Sequence, residues 1–194
     1  MSTTATVRNG IDVDRLLETI HAIEADPVQG SFTFSATSTW SEGTHNVGQI
    51  QGFTHAGVQD TGRSESFILE GDEPPVLLGN DAGPNAVELL LQALGFCYAV
   101  GYVANAAAQG IEIASLEMQV EGDLDVGKFL GLAGPRPGFT AIRARARVSS
   151  PNATKANSRP CANTSRTVRR CVTAWPTRYR SKPPSTSSDS QVPT

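Results

Sequence analysis

The segment Pro84 to Gly110, PNAVELLLQALGFCYAVGYVANAAAQG, is the feature that most limits what this chain can become. Val87, Leu90, Leu91, Leu94, Tyr98 and Gly101 recur at helical spacing, which predicts one helix of about 25 residues. Pro84 suits the first turn, Asn85 and Glu88 form a capping pair, and Gly110 supplies the stop. The residues between are apolar or small almost all the way round, so most of the circumference has to be buried. A single domain rarely covers that much helix alone. A dimer is the expectation.

The elements around it are short. Asp12 to Ala25 carries Val13, Leu16, Leu17, Ile20 and Ile23 on one face and predicts an amphipathic helix closed by Asp26-Pro27. SFTFSATSTW alternates, with Phe32, Phe34, Ala36 and Trp40 on one side, and reads as a single strand. A turn at Gly43 leads to NVGQIQGF, the second strand of a hairpin, and SESFILE gives a third. GDEPPVLLGNDAG is a loop of turn residues. After the long helix, IEIASLEMQVEGDLD alternates with a change of phase, which predicts a bulge near Ala114-Ser115. FTAIRARARV closes the series with Arg143, Arg145 and Arg147 on one face. These arginines could take phosphates, but Glu117, Gln119, Glu121 and Asp123 line the preceding strand, and cross-strand charge pairing accounts for both rows. The fold class is α+β, a mainly antiparallel sheet wrapped around one long helix.

Composition divides the chain. Of 194 residues, 1–150 hold 18 of the 19 acidic side chains and 8 of the 16 basic ones. Residues 151–194 hold the other 8 basic residues, a single acid, and no Leu, Ile, Phe or Met, so they lack the apolar surface that offsets chain entropy. The expected organisation is an N-terminal helical extension at 1–30, an incomplete domain at 31–154, and a disordered basic tail at 155–194. Codons compatible with the tail, read one nucleotide out of step, can spell LREYVQDSSPVRDGLANPVPVKTTLDVV, with a helix-like start and a strand-like end. A frameshift near Thr154-Lys155 is therefore expected. The net charge of −3 gives no basic field for nucleic acid. No run of 18 apolar residues and no signal-peptide core is present, so no membrane partner and a cytoplasmic location are expected. Cys97, Cys161 and Cys171 have neither zinc spacing nor a paired framework, so no metal or cofactor is expected.

GPNAVELLLQALGFCYAVGYVANAAAQGIEIASLEMQVEGDLD resembles the OsmC/Ohr family, the osmotically inducible and organic-hydroperoxide-resistance proteins. That family shows an Asn-Pro-Glu-like start, a long helix carrying a cysteine, a Gly-Ile-x-Val strand and a Glu-Gly-x-Asp-like end. The resemblance covers roughly 31–150 and is strongest at 83–125. It implies an intertwined homodimer with interface sites, and a thiol peroxidase that reduces organic hydroperoxides in oxidative-stress defence. The attacking cysteine becomes a sulfenic acid, which a second thiol and an external dithiol reductant resolve. Carried over, the nucleophile is Cys97.

This chain departs from the family at the supporting positions. The family's arginine sits in a Gly-Gly-Arg-like turn, whereas SEGTHNVG here offers only His45, otherwise a surface-turn histidine. Asn85-Ala86-Val87-Glu88 puts valine where the family's glutamate falls. Glu88, nine residues before Cys97, lies on the opposite helix face and reads as a cap. Where the family has its second cysteine, the shifted frame has serine, so a single working cysteine and an external thiol are expected. Two other readings stand beside the enzyme: a non-enzymatic dimer that binds a small apolar ligand, and a truncated product without function. A mid-helix cysteine among Leu, Phe and Tyr is commonly an inert core residue.

Overall fold

The computed structural model describes residues 5–134 and 136–153. The expected tail and its frameshift lie outside them. The strands are β1 (Val7–Arg8), β2 (Ile11–Asp12), β3 (Phe32–Phe34), β4 (Thr37–Glu42), β5 (His45–Ile50), β6 (Phe53–His55), β7 (Val58–Gln59), β8 (Phe67–Gly71), β9 (Ser115–Leu124) and β10 (Phe139–Ser149). Two helices, α1 (Val13–Ala25) and α2 (Ala86–Ala108), complete an α+β fold in which every strand pair is antiparallel.

α2 begins and ends as its sequence dictates. Asn85 Oδ1 accepts from the Glu88 amide at 3.0 Å, and Glu88 Oε2 accepts from the Asn85 amide at 2.9 Å, so two orphan amides of the first turn are satisfied. Gly110 takes φ +75, and its amide donates to the Ala107 carbonyl while that of Ile111 donates to Ala106, a Schellman closure. One face lies on β9, with Gly95 beside Val120. Gly95, Tyr98, Ala106 and Ala107 are the buried residues of the helix. The expectation that most of its circumference is buried is not met within one chain. Leu90, Phe96 and Val100 are 52, 63 and 68% exposed, because a single layer covers a single face. α2 is also long and apolar enough, by length and composition alone, to cross a membrane. Its contact with β9 and its exposed partner face equally suit the central helix of an assembled protein.

β9 and β10 form the longest hairpin. Arg143 faces Glu121 and Arg147 faces Glu117 directly across it. Arg143 forks onto the Asp123 carboxylate, with one arm at 2.9 Å, and Arg147 Nη1 lies 3.3 Å from Glu117 Oε1. The arginine row is thus a cross-strand charge ladder. Leu116, Met118 and Val120 alternate with these residues and are half-buried.

The first half of the chain makes one long hairpin with a break in it. The predicted single strand over 31–40 is two strands in two sheets, β3 in the order β3-β6-β7 and β4 in the order β4-β5-β8. Phe34 pairs with Phe53 and Thr37 with Gln49, so the returning strand spends one residue more than the outgoing one. That extra residue falls at 50–52, where the Arg63 guanidinium takes up the Gln51 carbonyl at 2.9 Å. The alternation over 31–40 is regular because the irregularity belongs to its partner.

Residues 5–13 dock at the far end of α2. Asn9 donates to the Ile111 carbonyl and accepts from the Ile113 amide, both at 2.9 Å, while Arg8 reaches the Ala107 carbonyl. Val13 and Ile111 are buried there. The predicted strand from 111 is accordingly corrected: β9 starts at Ser115, and Ile111–Ala114 is an extended entry segment bonded to an asparagine side chain rather than to a strand along its length.

Candidate active site around Cys97

Cys97 is a free, exposed thiol. It lies two residues from Gly95, about 200° round the helix, and so faces away from β9. Leu90, Ala93, Phe96 and Val100 are exposed on the same side. The sulfur therefore sits midway along an apolar stripe without a cover in the single chain. It is the twelfth residue of α2, too far from the first turn for the helix dipole to activate it.

The two supporting candidates are not brought to it. Glu88 completes the capping box and lines a cleft of about 220 Å³ with Leu91, Gln92, Gly95, Met118 and Val120, on the β9 side of α2. His45 stands at the start of β5, its Nε2 3.8 Å from Glu70 Oε2 and without a hydrogen-bond partner. Among the described residues no group of His, Cys, Asp and Glu is arranged to hold a metal ion.

Two features escaped the sequence reading. Asp72 is the buried carboxylate of the described residues. Its oxygens accept from Thr44 Oγ1 at 2.6 Å and from the amides of Glu73, Asn80 and Ala82, and these bonds hold its pKa down at about 2. It pins the β4–β5 turn to the loop that delivers α2. Beside it a cleft of about 280 Å³ is lined by Thr44, Asn46, Gly48, Leu69, Glu73 and Asn85, and Cys97 is not among its walls. The signal was an aspartate opening a turn-rich loop, a residue that commonly binds amides just downstream.

The second is an aromatic platform. Phe32 and Phe34 lie 5.9 Å apart, Phe34 and Phe53 5.4 Å, and His55 stacks on Phe32 at 4.3 Å. The Arg63 guanidinium completes it, 5.4 Å from the Phe53 ring centre and 5.2 Å from that of Phe67. Phe32, Phe34 and Phe67 remain exposed. Ring pairing of this kind depends on contacts between strands and is invisible to local periodicity.

A thiol-bearing central helix on an antiparallel hairpin, preceded by a separate hairpin sheet, defines the OsmC-like class of α+β folds. The pattern of the OsmC-like protein family matches residues 79–173, which span α2, β9 and β10 and run on past the last described residue. That match covers 95 of the chain's 194 residues, and over them the chain is OsmC-like. Its structure is similar to that of an OsmC-like protein from Mycoplasma pneumoniae, at 18% identity and TM-score 0.51 over 75% of this chain and 89% of the other. An OsmC-like protein of unknown function from Vibrio cholerae aligns at 14% identity and TM-score 0.49, over 71% and 88%. No curated protein matches the chain.

Proposed function

We propose that the protein is a homodimeric, cysteine-based thiol peroxidase that reduces organic hydroperoxides. The observation that carries this reading is the position of Cys97, a free thiol at the centre of an exposed apolar helix stripe. A second copy laid over that stripe turns an open face into a cleft walled by hydrocarbon and floored by sulfur. Such a cleft takes an alkyl hydroperoxide by its tail and presents the O–O bond to the thiolate.

The reaction balances on one sulfur. The Cys97 thiolate attacks the distal oxygen, an S–O bond forms, and the O–O bond breaks. Sulfur is oxidised by two electrons to the sulfenic acid, and the departing alkoxide takes a proton to leave as the alcohol. An external dithiol then displaces water to form a mixed disulfide, and its second thiol releases Cys97 as it closes its own disulfide.

Peroxide consumption with dithiothreitol, wild type against Cys97→Ser, tests the reading. Loss of the catalysed rate in the variant is expected, together with a sulfenic adduct on the Cys97 peptide of the wild type. Equal rates overturn it. The non-enzymatic alternative is favoured by one observation: within its own chain, Cys97 has no ion pair or hydrogen bond with any described cationic side chain.

A further inference from the structure

We infer that the aromatic platform is a binding site for a small aryl carboxylate, with Arg63 holding the carboxylate and the phenylalanine row taking the ring. The inference does not rest on the peroxidase reading. Neither Arg63 nor any ring of the platform lines the two clefts beside α2.

Strand pairing makes the platform. β3 and β6 run antiparallel with Phe32 opposite His55 and Phe34 opposite Phe53, so four rings share one face of the small sheet, while Thr33 and Thr54 occupy the other. Phe32 is tilted by 7° from Phe34 and by 11° from His55, at centroid separations of 5.9 and 4.3 Å. A further ring extends such a row with the stacking geometry that aromatic pairs favour. The row is open to it: Phe34 is 67% and Phe32 47% exposed.

Arg63 stands at the edge of this face. Its guanidinium lies over Phe53 and Phe67 and donates to the Gln51 carbonyl at 2.9 Å. A guanidinium carries five N–H donors in one plane, and ring stacking uses the faces of that plane, not its rim. Among the described residues Arg63 makes no ion pair. The neighbouring Asp60 instead accepts from the Gly62 amide at 3.0 Å, and Glu65 pairs with no described cation. The cation is thus fixed in place and unneutralised, with donors to spare for the two oxygens of a carboxylate.

Charge limits the size of the ligand. One spare cation matches one negative charge. A single-stranded nucleic acid would also stack its bases on such rings, but the acidic excess of residues 1–150 repels a chain of phosphates. The aromatic row favours a flat ring over a flexible chain, because a ring has few torsions to lose on stacking.

The test titrates the full chain with 2-naphthoate by calorimetry, beside two analogues. One is 2-naphthalenemethanol, which lacks the charge; the other is decahydro-2-naphthoate, which lacks the aromatic rings. Saturable binding of 2-naphthoate is expected, about tenfold tighter than the alcohol and about fivefold tighter than the saturated acid. Arg63→Met, which keeps an apolar stem over the rings, brings 2-naphthoate down to the level of the alcohol and leaves the alcohol unchanged. Arg63→Lys, which keeps the charge without the planar fork, recovers part of the loss. Phe34→Leu, which keeps apolar bulk without the ring, removes the preference for 2-naphthoate over its saturated analogue. Cys97→Ser binds as the wild type does. Urea midpoints establish that each variant is folded. Absence of saturable binding overturns the inference, as does wild-type affinity for 2-naphthoate in folded Arg63→Met. An oligothymidylate that binds more tightly than 2-naphthoate overturns it in favour of nucleic acid. Weakened binding in Cys97→Ser overturns it by placing the ligand on α2.

Discussion

Where α2 is sealed, the residues are small or aromatic: Gly95, which lies beside Val120 of β9, and Tyr98, Ala106 and Ala107. On the other side, Leu90, Phe96 and Val100 stand open around a free thiol. Both sides are apolar, so hydrophobicity alone does not separate them. What separates them is fit. The sealed residues are closed off by other parts of the same chain. The outer side keeps bulky groups that a second surface would cover, and it keeps the free thiol of Cys97.

This contrast can be attacked from either side. Phe96→Glu, which puts a charge on the outer stripe, is expected to have the largest effect: monomers in sedimentation at micromolar concentration and loss of most peroxidase activity, with the far-ultraviolet spectrum unchanged. A stable, active dimer would break the comparison. Tyr98→Ala on the inner side is expected to cost about 3 kcal/mol in urea unfolding through the cavity it leaves. Gly110→Ala, at a φ of +75, is expected to cost about 1 kcal/mol by straining the helix stop. Acid sharpens a different part. Asp72 holds its proton less tightly when folded, at about 2 against an ordinary 3.8. Its contribution to stability is complete above about pH 4 and drains away as pH falls towards 2. Thermal midpoints over that range should flatten in Asp72→Asn, apart from a residual slope from Asp123, whose pKa Arg143 also lowers. Arg147→Ala removes an exposed ion pair and should leave the midpoint within error of the wild type.

The sequence disclosed whatever is decided locally. The ends of α2, the stop of α1 at Asp26-Pro27, and the charge ladder between β9 and β10 follow from spacing and neighbours a few residues apart. Features decided at a distance were misread or missed. The break between β3 and β4 comes from an extra residue on the strand opposite. Ile111 and Ile113 alternate as a strand would, but the Ile111 carbonyl and the Ile113 amide bond Asn9, about a hundred residues earlier. Of the site, Cys97 was found by resemblance, and the helical arithmetic correctly set Glu88 on the far side. The stacking of Arg63 was passed over because its rings come from β6 and β8, on either side of it in the chain.

The docking of Asn9 bears on how this gene can be trimmed. By presenting an acceptor and a donor to Ile111 and Ile113, a single amide side chain stands in for the edge of a missing strand. A shorter version starting at β3 would delete that stand-in together with Val13. Two main-chain groups would be left stranded at the foot of the central helix. The apparent leader is masonry, and expression trials that begin after it should yield insoluble material.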